Sequence, residues 1–125
     1  MAIARLAMTS FDCADPKPLI EFWAGLLDGT ILAVGDETAV VATDTIMVAA
    51  IRVPDYTPPT WPGGSTPKHL HLDLAVLDLD EAEAVALRLG ATKADHQPRP
   101  DQWRVFFDPA GHPFCFTANI PFDAV

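Results

Sequence analysis

In the run KHLHLDLAV, Lys68 to Val76, apolar and polar positions alternate, with Leu70, Leu72, Leu74 and Val76 on one parity and His69, His71 and Asp73 on the other. A period of two predicts a strand over His69 to Val76, aliphatic on one face and carrying two imidazoles and a carboxylate on the other. Neighbours on one face of a strand lie roughly 6.6 Å apart, within reach of a single metal ion or small substrate.

Two other segments follow the helical period. Asp15 followed by Pro16 is a helix start, and Leu19, Phe22, Trp23, Leu26 and Leu27 then recur at helical spacing up to Gly29, the expected stop. Asp78 repeats this start 63 residues later. Glu81 stands at the capping-box position, Leu79, Ala82, Val85, Ala86 and Leu89 share a face, and Gly90 ends the helix. The acidic group Asp78, Asp80, Glu81 and Glu83 therefore reads as a helix start and a solvated face.

Each helix follows a strand-like run, Leu6 to Phe11 or His69 to Val76, and precedes short β-rich runs. After the first helix these are Thr30 to Val34, Thr38 to Ala42 and Thr45 to Val53. After the second they are Thr92 to His96, Trp103 to Phe107 and Phe114 to Thr117. The chain thus divides into module one (1–53), a connection with five prolines and two glycines (54–67) and module two (68–125). Each unit has one helix for one sheet and leaves a sheet face uncovered, so two units are expected to set their sheets around a cleft, the natural ligand site.

Composition narrows the function classes. With 125 residues, half of them hydrophobic and a fifth charged, the chain suits one folded domain with an ordinary core. Acidic residues outnumber basic ones by 17 to 8, a formal charge of -9, which argues against nucleic acid and anionic membrane as partners. Cys13 and Cys115 lack Cys-x-x-Cys spacing, no secretory leader pattern opens the chain, and no apolar run approaches a membrane span. A cytoplasmic protein with reduced thiols is expected.

The stretches DCADPKPLIEFWAGLLDG, HLDLAVLDLDEAEAVALRLGA and DPAGHPFCF, in this order and spacing, resemble the vicinal oxygen chelate superfamily of glyoxalase-like proteins, bleomycin-resistance proteins and extradiol dioxygenases. With the shared topology the resemblance covers nearly the whole chain. It implies an α+β fold of two βαβββ modules with pseudo-twofold symmetry forming a concave mixed-sheet cleft, and commonly a homodimer.

Many metal-using members place one ligand on the first and one on the fourth strand of each module. His71 matches the third of these four positions, and counting along DPAGHPFCF puts Cys115 at the fourth, where a glutamate is usual. The resemblance aligns Met8 with the first position and Ile51 with the second. A hard divalent ion wants oxygen and imidazole donors, so the usual site is expected to be largely lost and no metal to be tightly held. Zinc on His69, His71 and the Cys115 thiolate is the softer alternative. Against it stands Cys115 as a small buried hydrophobe.

The leading expectation is a small organic ligand in an apolar cleft lined by Met8, Met47, Ile51, Trp61, His69, Trp103 and Cys115, with His71 orienting it. One rival is a lyase, isomerase or dioxygenase that uses a metal, or His71 as general base held by Asp73. Another is sequestration of an antibiotic, where binding is itself the function. His112, in the turn Asp108-Pro-Ala-Gly-His, reads as a turn residue, His96 as solvated, and Trp23 as core.

Overall fold

Asp15 and Asp78 start the two helices. In the computed structural model, which describes residues 1–124, the Asp15 side chain accepts from the Lys17 amide at 3.3 Å, and Pro16 takes the first helical position of α1 (Pro16–Leu27). The Asp78 side chain accepts from the Glu81 amide at 3.0 Å and opens α2 (Leu79–Leu89). Gly90 closes α2 in the left-handed region at φ 116°, as expected.

The end of α1 differs from expectation. Asp28, not Gly29, takes the left-handed cap at φ 51°. Gly29 is needed for space instead: a Cβ there would lie 2.6 Å from Val41 Cγ2 and 2.8 Å from the Ala42 carbonyl oxygen.

The chain forms two compact units, Met1–Tyr56 and Thr57 onward. In the first, β1 (Met8–Cys13), β2 (Thr30–Val34), β3 (Thr38–Ala42) and β4 (Met47–Arg52) form one sheet in the order β1-β4-β3-β2. In the second, β5 (Leu72–Ala75), β6 (Thr92–Lys93), β7 (Trp103–Phe107) and β8 (Pro113–Thr117) repeat that order as β5-β8-β7-β6. In both, the first strand runs parallel to the last and the other pairs are antiparallel. These are the two expected βαβββ modules.

Each unit buries one sheet face under its helix. In the first, Phe11 stacks on Trp23 at 5.6 Å, Phe22 meets Trp23 edge-on at 5.2 Å, and Leu19, Ile20, Val41 and Val48 are buried with them. In the second, Phe106, Phe114 and Phe116 pack at 5.3 to 5.8 Å. Burying each such side chain stabilises the fold by roughly 1.5–3 kcal/mol. Arg104, on the same face of β7, donates to Asp80 at 2.7 Å and tethers the sheet to α2.

Several strands are shorter or shifted. β1 is Met8–Cys13 rather than Leu6 to Phe11, β4 is Met47–Arg52 within the expected Thr45 to Val53, and β6 stops at Lys93 rather than His96. β5 begins at Leu72, not His69, because its ladder to β8 starts with Leu72 opposite Phe114. Pro113 opens β8 and has no amide hydrogen, so nothing extends that ladder toward His69.

The proline-rich connection is not a free tether. Thr60 forms a bridge with Pro67, its amide donates to the Thr66 carbonyl at 2.7 Å, and the Lys68 amide donates back to Thr60 at 3.3 Å. Pro58 lies against Gly111, where a Cβ would come within 2.8 Å of it. Residues from Thr57 on thus pack with the second unit.

Candidate functional site

The site starts from strand register. In the parallel ladder of β5 and β8, Asp73 lies opposite Cys115, and in the antiparallel ladder of β8 and β7, Cys115 lies opposite Val105. Paired residues project to the same side of a sheet, so Asp73, Cys115 and Val105 share the face away from the phenylalanine core. Trp103, Phe107 and Thr117 lie on that face by the same register.

The face has an apolar and a polar part. Ala94, Val105 and Cys115 form a buried cluster, with Trp61, Trp103 and Phe107 packed against it half-buried. The Trp61 ring sits 5.4 Å from the His96 ring, and the Arg99 guanidinium lies 5.8 Å from the centre of the Trp103 ring. Beside this cluster His71 Nε2 is 3.2 Å from Asp73 Oδ1. The donor atoms of His71, Asp73 and Cys115 all fall within 4.8 Å of one another.

Cys115 is 8% exposed, and its thiol is pushed up to about 11. Burial is the main cause, the Asp73 carboxylate adds to it by charge and by accepting a hydrogen bond, and Lys68 opposes it. At neutral pH the group is a thiol, so a Cys–His nucleophile is not poised here.

With its Nε2 hydrogen turned to Asp73, His71 would present Nδ1 as a proton acceptor. That arrangement can orient a hydrogen-bonding ligand or accept a proton from one.

The expected site residues separate into two groups. His71, Asp73, Cys115, Trp61 and Trp103 come together in the second unit. His69 is exposed, lies outside β5, and is not among the three clustered donors. Met8, Met47 and Ile51 belong to the first unit, where Met8 pairs with Met47 and all three lie on the sheet face opposite Cys13 and Val48. The pairing also refines the alignment. Ser10 opposite Ala49 corresponds to Asp73 opposite Cys115, so Ala49 rather than Ile51 holds the place equivalent to Cys115.

His112 serves the turn through its backbone: its amide and that of Ala110 donate to the buried Asp108 carboxylate at 3.0 and 2.9 Å. Gln97 carried no sequence signal. Its side-chain amide donates to the carbonyls of Ala94 and Val105, at 2.9 and 2.8 Å, and accepts from the Val105 amide at 2.9 Å. Beyond the end of β6 it stands in for a strand and fixes Val105 under the candidate face. In a polar run such as DHQPRPDQ nothing distinguishes that glutamine from a solvated one.

Two repeated βαβββ units with a polar group on the sheet face away from the helix define a glyoxalase-type scaffold. The family model described as the glyoxalase-like domain matches residues 8–117, and the chain belongs to that family. No curated protein matches the sequence. Among solved structures, the fosfomycin resistance protein FosX from Mesorhizobium loti is 18% identical at a TM-score of 0.70, over 96% of this chain and 94% of that one. A mutant FosX from Listeria monocytogenes, complexed with Mn(II) and 1S,2S-dihydroxypropylphosphonic acid, is 15% identical at a TM-score of 0.70, over 95% of each chain. A glyoxalase/bleomycin resistance protein/dioxygenase family enzyme from Burkholderia phytofirmans is 15% identical at a TM-score of 0.65, over 90% of this chain and 97% of that one. At these identities the likeness is one of fold.

The resemblance to the vicinal oxygen chelate proteins implies a divalent metal held by four ligands, and the residues at those positions do not fit a hard ion. Met8 offers a thioether, Ala49 or Ile51 hydrocarbon, and Cys115 a protonated thiol, leaving His71 as the one familiar donor.

Proposed function

We propose that this glyoxalase-like protein binds a small, partly aromatic organic molecule against the open face of its second sheet. The observation that carries the reading is the pairing of an apolar floor, Val105 and Cys115 flanked by Trp61 and Trp103, with the His71–Asp73 hydrogen bond at its edge. Few polar groups beside many apolar ones are the usual composition of a small-molecule site. Aromatic walls supply area and stacking, and His71 supplies orientation. The apolar face of Met8, Met47 and Ile51 in the first unit is a second binding surface in this reading.

The test is a titration followed by tryptophan fluorescence, against a panel of aromatic metabolites and cationic antibiotics. His71→Ala should weaken binding by roughly 1–3 kcal/mol, because it leaves a polar group of the ligand unpaired. A ligand that binds tightly and equally well to His71→Ala and Asp73→Ala would overturn the reading.

A catalytic variant of the same site is favoured by one distance, the 3.2 Å contact that would hold the His71 ring for proton abstraction in lyase or isomerase chemistry. Turnover of a bound ligand that is lost in His71→Ala but kept in Trp103→Phe would distinguish catalysis from sequestration, the bleomycin-resistance-like alternative. The reading includes a cytoplasmic homodimer. The charge of -9 disfavours nucleic acid and anionic membrane as further partners. Among the described residues no helix is long and apolar enough to cross a membrane.

A further inference from the structure

We infer that Arg99 is a recognition residue for a carboxylate, and that the ligand of the second sheet is a small aromatic acid whose ring lies beside Trp103. The inference rests on the ligand-binding reading and names the class of molecule that reading leaves open.

The distribution of positive charge points here. Of the eight Lys and Arg side chains, Lys17, Arg52, Lys93 and Arg104 face carboxylates in ion pairs. Among the described residues Arg99 and Lys68 make no ion pair, and both flank the candidate face. The Arg99 guanidinium lies over the Trp103 ring at 5.8 Å, although Asp95 and Asp101 stand on the same loop. Lys68, half-buried three residues before His71, is close enough for its charge to act on Cys115. A chain with 17 acidic residues thus keeps uncommitted positive charge beside its apolar floor, where an anion would need it.

Arg99 is exposed, yet its backbone is fixed on both sides. Pro98 and Pro100 flank it and restrict the backbone there. Its carbonyl accepts from the Gln102 and Trp103 amides, both at 2.9 Å, and Arg104 Nε donates to the Pro100 carbonyl at 2.8 Å. Gln97 ties the start of this loop to Ala94 and Val105. A guanidinium carried on a rigid loop loses little freedom on binding. Lying over an indole it engages a flat face, and its N–H donors, which point outward in the plane, stay available for two parallel bonds to a carboxylate.

The two ends of the face differ. Trp103 lies two strands across and two residues along from Asp73, roughly 12 Å by strand spacing. A ligand carboxylate at the Trp103 end is therefore about a screening length from the Asp73 charge. A hydroxyl at the far end of the ring reaches toward His71. A hydroxyl-bearing aromatic acid suits both ends.

The full chain is titrated by calorimetry, and by NMR of the tryptophan indole N–H groups, with para-hydroxyphenylacetate, its neutral amide and the matching amine, tyramine. The acid should bind at least about tenfold tighter than either analogue. It should shift the Trp61 and Trp103 signals and leave Trp23, buried in the first unit, in place. Arg99→Gln should remove the preference without weakening amide binding, Arg99→Lys should restore part of it, and Lys68→Met should reduce it. Arg88→Gln removes the same charge in the last turn of α2 and should change nothing, which separates local recognition from net charge. Equal affinity for acid and amide, or a preference that survives Arg99→Gln, would overturn the inference. If the acid is silent while the amide or amine shifts Trp61 and Trp103, the inference falls alone; if all three are silent, the ligand-binding reading falls with it.

Discussion

Asp73 on β5 lies directly opposite Cys115 on β8 in the parallel ladder, which sets a carboxylate beside a buried thiol on the face of the second sheet away from its phenylalanine core. Burial, aided by the facing carboxylate, keeps the thiol protonated, and the pairing brings together oxygen and sulfur atoms 42 residues apart in the chain. Both consequences can be measured.

The first is a pH dependence. The folded-state thiol sits at about 11, above its ordinary 9.0, so the native state holds the proton more tightly than the unfolded chain. That stabilisation is complete below pH 9 and is lost as pH rises through 9 toward 11. Urea unfolding should show a decline on the order of 2 kcal/mol over this window, which Cys115→Ala should lack. Alkylation of Cys115 at pH 8, followed by peptide mass spectrometry, should run about a hundredfold slower than that of a free model thiol.

Gln97→Ala should destabilise the protein by about 2 kcal/mol, since it removes hydrogen bonds to Ala94 and Val105 and leaves the Val105 amide without that partner. Chemical denaturation measures the loss. Because Val105 underlies the candidate face, ligand affinity should fall with it.

At the end of α1 two neighbouring substitutions should act in opposite directions. Gly29→Ala forces a methyl into Val41 and the Ala42 carbonyl and should cost about 1–3 kcal/mol. Asp28→Gly relieves a left-handed residue and should be neutral or stabilising by up to about 1 kcal/mol. Thermal unfolding of the pair distinguishes a space requirement from a conformational one.

Light scattering at micromolar concentration should give twice the 13.5 kDa chain mass. A monomer mass would remove the homodimer from the proposed function while leaving the two-unit fold untouched.

Much of this protein was legible in the sequence because its signals are local. Asp15-Pro16 and Asp78 with Glu81 mark helix starts through hydrogen bonds that span three residues, and the periods of 3.6 and 2 separate helices from strands without reference to partners. The repeat of these signals 63 residues apart was enough to predict two βαβββ modules. What only the tertiary structure decided depends on register between strands distant in the chain. Alternation put His71 and Asp73 on one face, but only the β5–β8 ladder brought Cys115 to them and left His69 outside. The same ladder logic put Ala49 rather than Ile51 at the equivalent place in the first unit. Asp28 as the helix cap, Gly29 as a spacer and Gln97 as a substitute strand likewise depend on which backbone approaches from elsewhere. A residue's own sequence neighbourhood holds no record of that approach, because long-range pairing is settled by the packing of the whole unit.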